Sequence, residues 1–541
     1  MEEYIVTLRS RDDLDEFYED METPGGSLHI PDRKVDVAVR REFSANTHYY
    51  LTAEEAETLK KDPRVIGIEP RSLWGRMTIK PSYTQTSSNW EKDFTSTSND
   101  KNWGLLRCVE GSQRSGWGYD STSNQSGNIK VTSSGKNVDV VIVDGHFNPN
   151  HPEFAVNADG TGGSRVVQYN WFQHNLVVNG NPNGTYIYPP YIDNSDAERT
   201  DDNNHGIHVA ATVAGNTQGW ARDANIYNIN PYGATNINGP LGVGFLFDYI
   251  LQFHLNKPIN PETGRKNPTI VNNSWASFYT LIKSDVTSIT WRGVTDNPPF
   301  TDVDYDNYGL VDRTSTQIYI PAWTVGLVAD VINCISEGII FVGAAGNESM
   351  KIDSLGGQDY NNTITESGFT DFYHRGSWNV TGGDSICVGA ASALVNDSKA
   401  TFSNPGSRVN LYAPGNNIMS AIHEDFYEVT DPRNALYKLT KYSGTSMASP
   451  QVCGILACLM EQCPRLTQSD AISYLEQHCK LDQMTVTTGG YTDTTSLQGG
   501  VNRYLYYNKE RKEDGVITPR VTFKARRSSG QVWPRRSTYI Y

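Results

Sequence analysis

Four short runs of unbroken apolar residues recur along the chain: VDVVIVD (138–144), TIVNNSW (269–275), GIIFVGAAGN (338–347) and SICVGAA (385–391). Each is bounded by turn residues and lacks the in–out alternation of a half-exposed strand. Strands covered on both faces by helices carry this pattern. Helix-like segments, HGIHVAATVAG and WTVGLVADVINCISEG, lie between them. The alternation predicts a doubly wound, mostly parallel α/β sheet, in which ligands sit beyond the carboxyl ends of the strands.

The first 76 residues keep a different rhythm. EEYIVTLRS is strand-like, and SRDDLDEFYEDM opens a helix with Ser10 as cap. RKVDVAVRREF and THYYL alternate as strands. TAEEAETLKKDPR is a second helix, with Thr52 and Glu55 spaced as a capping box and Pro63 ending it, and VIGIEP closes the set. The order βαββαβ predicts a small α+β, ferredoxin-like unit. A Ser/Thr/Asn/Gly-rich stretch over 77–137 reads as loop, its part up to 101 as a linker open to proteolysis. The α/β pattern then occupies 102–500, broken by irregular inserts at about 160–200 and 277–320, and 501–541 forms a separate tail.

Composition narrows the class. With 37% hydrophobic and 20% charged residues, the 541-residue chain is globular and divides into more than one unit. The net charge of −15 is uneven: ten Lys/Arg oppose three Asp/Glu after residue 500, leaving −22 before it. So acidic a body argues against nucleic acid as partner. No apolar run is long enough to span a membrane. Seven irregularly spaced cysteines and an acidic N-terminus without a signal-peptide pattern lead us to expect reduced thiols and an intracellular or particle-associated location.

The candidate chemistry gathers where these elements end. Asp144 closes the first apolar run and Asn347 the third; His205 opens a Gly/Ala-rich helix, and Ser446 stands between YSGT and the helix SMASPQVCGILACLM. Taken singly, each has an ordinary structural reading as turn residue, packed imidazole or helix cap. His208, one turn beyond His205, is expected to be a packing residue. Together the four supply nucleophile, base, base-orienter and oxyanion donor on one expected rim, the set that acyl transfer needs.

The order Asp, His, Ser, with GTSMASP around Ser446, HGIHVAATVAG around His205 and AAGN at 344–347, resembles the subtilisin-like serine proteases. VGAASALVNDSKATFSNPGSRVNLYAPG (388–415) and NWGLLRC (102–108) are similar to further stretches of that family, and residues 1–76 resemble its propeptide. The resemblance implies a self-processing serine endopeptidase, cut between about 72 and 100, with its own propeptide and polypeptide substrates as partners. It implies Ser446 as nucleophile, His205 as base, Asp144 as its orienter and Asn347 as oxyanion donor. It also implies that Ser274, Trp275 and Ala276 pair with extended substrate, and that Ala344, Ala345 and Gly346 form the other wall of the pocket for the residue before the scissile bond.

The departures from the family pattern touch no catalytic group: Gly-His after Asp144, Ile207, Ala211, Gln451 and Ala276. The chemistry requires no cofactor. Structural calcium is an expectation without an assigned ligand set, although DVDYDNYG (302–309) resembles a calcium loop in its spaced carboxylates. The basic, aromatic tail predicts a docking strap. A competing reading is an assembly protein, anchored by that tail, whose protease domain cuts only itself or is silent.

Overall fold

The computed structural model describes residues 1–10, 13–23, 35, 37–39, 46–70, 83–85, 102–110, 129–131, 133–179, 201–230, 243–323, 325–377, 384–393, 397–423, 429–487 and 495–507. These fall into two compact units, one within Met1–Lys80 and one within Pro81–Lys509. Most of the expected cleavage region, 72–100, the second half of the first insert and the tail after 507 lie outside the described residues.

The first unit contains β1 (Glu2–Leu8), α1 (Leu14–Glu22), β2 (Val37–Val39), β3 (Asn46–Leu51), α2 (Ala53–Leu59) and β4 (Val65–Pro70). The strands form an antiparallel sheet in the order β2-β3-β1-β4. Phe17, Tyr49, Leu51 and Leu59 fill its core against Val6 and Leu8. Thr52 and Glu55 make the expected capping box, with Thr52 N donating to Glu55 at 2.7 Å and Glu55 N to Thr52 Oγ1 at 3.2 Å. Two helix limits differ from expectation. Helix α1 starts at Leu14 after Asp13, because a turn from Ser10 O to Asp13 N precedes its apolar face of Leu14, Phe17, Tyr18 and Met21. Helix α2 ends at Leu59, four residues short of Pro63.

The second unit opens with β5 (Tyr83–Gln85), α3 (Trp103–Glu110), β6 (Ile129–Val131), β7 (Asp139–Val143), β8 (Val166–Val167), α4 (Asn175–Asn179), α5 (Asp201–Ala214) and β9 (Asn225–Ile229). It continues with α6 (Val243–Asn256), β10 (Thr269–Asn273), β11 (Phe278–Ile282), β12 (Val286–Trp291), β13 (Val294–Asp296), α7 (Asp302–Asn307), β14 (Gln317–Pro321), α8 (Val325–Ser336) and β15 (Ile340–Ala344). Then follow β16 (Thr363–Glu366), β17 (Phe369–Phe372), β18 (Ile386–Ala391), β19 (Leu411–Pro414), β20 (Ile418–Ile422), β21 (Val429–Thr430) and β22 (Lys438–Tyr442). The last are α9 (Thr445–Gln462), α10 (Gln468–His478), β23 (Lys480–Leu481) and β24 (Arg503–Tyr504).

Nine of these strands form one sheet, β23-β24-β19-β18-β15-β10-β7-β9-β8, parallel throughout except for the β23/β24 edge. The unbroken apolar runs follow from helices on both faces. In β7, Val140 and Ile142 pack into a core with α5 and α9, while Val141 and Val143 pack into a second core with α6 and α8. Leaving β7, the chain builds first on one side through β8 and β9, then crosses to β10 on the other. That switch opens a crevice beyond the carboxyl ends of β7 and β10.

Three expectations need correction. Residues 277–320 are not irregular loop: β11 pairs with β14, and β13-β12-β16-β17 form a second antiparallel sheet. Leu281, Val286, Ile289, Leu310, Ile318, Ile320 and Ile364 give this region a core of its own. Second, most of DVDYDNYG is helix α7 and not the open loop that its spaced carboxylates resemble. Thr301 and Asp304 cap α7 in a capping box, and the Arg313 guanidinium lies 2.7 Å from Asp306 and 3.5 Å from Asp302, a cation already among the carboxylates. Third, the break after residue 500 falls too early, since Tyr504, Leu505 and Tyr507 are buried and β24 belongs to the main sheet. Within the stretch read as loop, residues 133–137 are loop and turn, while helix α3 and strand β6 are regular elements, with Trp103 and Arg107 buried.

Among the described residues no group of His, Cys, Asp or Glu is arranged to hold a metal ion, and no helix is long and apolar enough to cross a membrane.

Candidate active site

Strand β7 delivers Asp144 to the crevice with its side chain wholly buried. Its Oδ1 accepts the Gly145 N–H at 2.9 Å, and both carboxylate oxygens face His205 Nδ1, at 2.9 and 3.0 Å. A carboxylate accepts and does not donate, so Nδ1 carries the proton and Nε2 is the acceptor nitrogen of the ring. His205 lies in the second turn of α5, since the helix begins at Asp201, four residues earlier than the apolar pattern indicates.

The approach of α5 to the end of β7 depends on Gly206. A Cβ there would lie 2.2 Å from the Gly145 carbonyl oxygen. Asn228 of β9 secures the other side: its Nδ2 donates to the carbonyls of Ile142, Asp144 and Gly145, and its Oδ1 meets His146 Nδ1 at 2.9 Å. The unusual Gly-His pair after Asp144 therefore has a structural partner. His208 faces away from this chemistry. Its Nε2 lies against the carbonyls of Ile418 and Thr440, its ring stacks on Tyr442, and burial takes its pKa down to about 3.

Ser446 stands in the first turn of α9, where backbone N–H groups have no intrahelical partner. Its Oγ donates to the Ser274 carbonyl at 2.9 Å, and Ser274 Oγ donates back to the Ser446 carbonyl at 2.9 Å. Behind this pair, Ser449 Oγ donates to Asn272 Oδ1, and Asn272 Nδ2 to Ser274 Oγ. The start of α9 is thus fastened to the carboxyl end of β10. In the sheet β10 lies beside β7, with Asn273 opposite Val143.

Asn347 reaches the same place from the loop after β15. Its Oδ1 accepts from Thr445 N at 2.8 Å and Thr445 Oγ1 at 2.9 Å, which turns Nδ2 outward as a free-handed donor. Thr445 Oγ1 also accepts the Gly346 N–H. Asn404 holds the loop from the other side, donating to Ala345 O and accepting from the N–H groups of Glu348 and Met350. Gly346 has φ +106°, and a Cβ would meet Asn404 Nδ2 at 2.3 Å. Ala344 and Ala345 are buried, while Trp275 and Ala276 are half-buried along the crevice strand.

All four proposed catalytic residues therefore occupy one rim, at the ends of β7, β10 and β15 and the starts of α5 and α9. Sequence reasoning missed their supports: Gly206, Asn228, Asn272, Asn404, Thr445 and Ser449. The only signal for most was their place inside stretches already singled out. Gln451 gains an explanation too, since its amide accepts from the buried Trp220 indole at 2.8 Å and donates to Asn102 Oδ1 at 3.3 Å.

The model of the subtilase family, Peptidase_S8, matches residues 135–504. The chain belongs to the subtilase family. This subtilase is 22% identical over 456 residues to alkaline serine exoprotease A of Vibrio alginolyticus, covering 84% of this chain and 57% of that protein. It is 26% identical over 350 residues to subtilisin-like protease 3 of Arthroderma otae, covering 64% and 59%. The chain thus spans under two thirds of the length of these relatives. Among solved structures, a cold-adapted subtilisin-like serine proteinase aligns with a TM-score of 0.44 and 20% identity, over 76% of this chain and all of that one.

Proposed function

We propose that the protein is a serine endopeptidase that cleaves polypeptides through an acyl-enzyme. One observation carries the reading: an imidazole held by a buried carboxylate at 2.9–3.0 Å shares its rim with a helix-start serine and an outward-facing amide. In this reading Ser446 Oγ attacks the scissile carbonyl and its proton passes to His205 Nε2, then to the leaving amine. Asp144 fixes the tautomer and stabilises the imidazolium. Asn347 Nδ2 and the Ser446 N–H receive the developing oxyanion. Water deacylates the enzyme by the same route in reverse. Extended substrate lies along Ser274–Ala276, opposite Ala344–Gly346.

The N-terminal unit serves, on this reading, as a propeptide removed by self-cleavage between about 72 and 100; its βαββαβ order and its place before the protease unit support this. A silent assembly domain is not favoured, because every polar group required for the chemistry is supplied with its own support.

A fluorophosphonate probe and N-terminal mapping test the proposal together. Labelling of the protein, lost in Ser446→Ala, is expected, as is a new N-terminus within 72–100 that is absent from that variant. Asn347→Leu should still label, with kcat reduced by about 10²–10³, a magnitude measured for such a donor in a subtilisin. Unlabelled wild-type protein, or N-terminal processing that persists in Ser446→Ala, would overturn the respective part.

A further inference from the structure

The segment assigned to the substrate does not stop at Ala276. Residues 274–277 contain neither helix nor turn and lead directly into β11, the first strand of the insert. Strand β11 pairs antiparallel with β14 in unbroken register, from Phe278 opposite Pro321 to Ile282 opposite Gln317. The Ala322 N–H donates to the Ser277 carbonyl at 2.7 Å, and the Lys283 N–H to Thr316 O at 2.9 Å.

Hydrogen-bonding residues alternate along an antiparallel strand. Tyr279 and Leu281 therefore turn their main-chain groups toward β14, as do the Ser277 carbonyl and the Lys283 N–H, while the Ser277 N–H donates to Ser377 Oγ at 3.4 Å; Phe278, Thr280 and Ile282 turn theirs to the opposite edge. At Ile282 that edge is closed, because its N–H donates to Glu366 Oε1 at 3.1 Å. At Phe278 and Thr280 it has no main-chain partner among the described residues, and β11 and β14 form a sheet of two strands only. Both residues are exposed.

Ser274 and Ala276 share the parity of Phe278 and Thr280, and the Ser274 carbonyl is the one that receives the Ser446 hydroxyl. We propose that the open edge of β11 is a remote substrate subsite, which pairs with the acyl side of the polypeptide about five and seven residues from the scissile bond. The inference rests on the protease reading above and names its preferred substrate: a long extended segment, not a short peptide. Its occupant follows from continuity with the crevice strand. The acyl side is the part retained through both half-reactions, so it is the part a pairing strand must hold. Thr280 is six residues beyond Ser274, roughly 20 Å at about 3.3 Å per residue. Phe278 and Ile282, 39% and 37% exposed, lie on one face of β11 beside the side chains such a segment would bring. Glu366 marks where pairing ends.

The test uses fluorogenic peptides with four, six and eight residues on the acyl side and a common cleavage sequence, digested by the full chain after maturation. We expect kcat/KM to rise at least 10-fold from four to eight residues. Thr280→Pro removes an outward N–H while leaving the bonds from Tyr279 and Leu281 to β14, so it should abolish most of that gain and leave the four-residue peptide unchanged. Backbone N-methylation of the peptide five or seven residues from the cleaved bond should do the same on unaltered protein, whether or not the proline variant folds. A flat length dependence, a gain on lengthening the leaving side instead, or a gain that survives methylation overturns the subsite. Absence of both cleavage and fluorophosphonate labelling overturns the protease reading beneath it.

Discussion

Gly206 is the residue on which the geometry of the site depends most while supplying no chemical group. The helix carrying His205 must come within van der Waals reach of the Gly145 carbonyl to bring the imidazole to Asp144, and a Cβ at 206 would sit 2.2 Å from that oxygen. In Gly206→Ala something must shift, and the neighbour is backbone. The helix start should retreat, lengthening the His205–Asp144 contact. The expected outcome is a fall in kcat of about 10²-fold, as a misplacement near 1 Å produces, with KM little changed and cooperative unfolding retained. An unaltered kcat would show that the rim can yield without losing alignment. In the sequence Gly206 is one small residue among several in HGIHVAATVAG, and nothing there distinguishes it from Gly215. The four polar residues were legible because each occupies the end of a patterned element. Gly206 was not, because its role is an approach between segments 61 residues apart.

At the scale of elements, α5 and α9 cross closely, and the contact is built from small residues and one polar bridge. Gly454 admits the Val213 carbonyl and Trp220, where a Cβ would lie within 2.7–2.8 Å of both. Gln451 satisfies the buried indole of Trp220 and reaches Asn102, which in turn bonds to Gln218. Gln451→Leu keeps the volume but leaves the indole N–H without its partner, while Asn102 Oδ1 keeps the Gly104 N–H. It should destabilise the fold by about 1–3 kcal/mol, the cost of a buried unsatisfied group. Urea unfolding with an unchanged m-value would register this as a lower midpoint. A neutral result would mean that Gln451 is replaceable packing. The strands and helices were visible in the sequence from their periodicity. The insert was not: its strands alternate, but β12 and β16, about 77 residues apart, pair only in the fold.

Over the whole molecule, burial of ionisable groups sets the response to acid. His208 and His374 are held neutral, both with pKa values down to about 3, chiefly through loss of solvent. Unfolded, each binds a proton near pH 6.5. Between those values the unfolded chain carries protons the native chain refuses, so stability falls as pH drops below about 6.5. Burial works to raise Glu153, but Arg433 and the Thr217 hydroxyl and N–H outweigh it and bring its pKa down to about 2. Its contribution is complete above the unfolded value near 4.5 and is lost as pH falls toward 2. The histidines act alone above about pH 4.5, and the two effects overlap from there down to about pH 3. Unfolding free energy measured against pH should lose up to about 1.4 kcal/mol per unit for each histidine between 6 and 4.5. His208→Gln with His374→Gln should reduce that slope, His254 supplying part of the remainder, while the loss below about pH 3 that belongs to Glu153 stays in place. An unchanged slope would assign the acid response elsewhere. The packing role of His208 was legible in the sequence one turn beyond His205, whereas nothing there singled out His374. The sequence by itself determined the alternation of buried strands and helices, the small βαββαβ unit and the identity of the four rim residues, because periodicity and local motif are written along the chain. Only the tertiary structure decided how closely the His205 helix approaches the carboxylate, what holds the serine and the amide in place, and how the strands of the insert pair, because each of these is a contact between segments far apart in sequence.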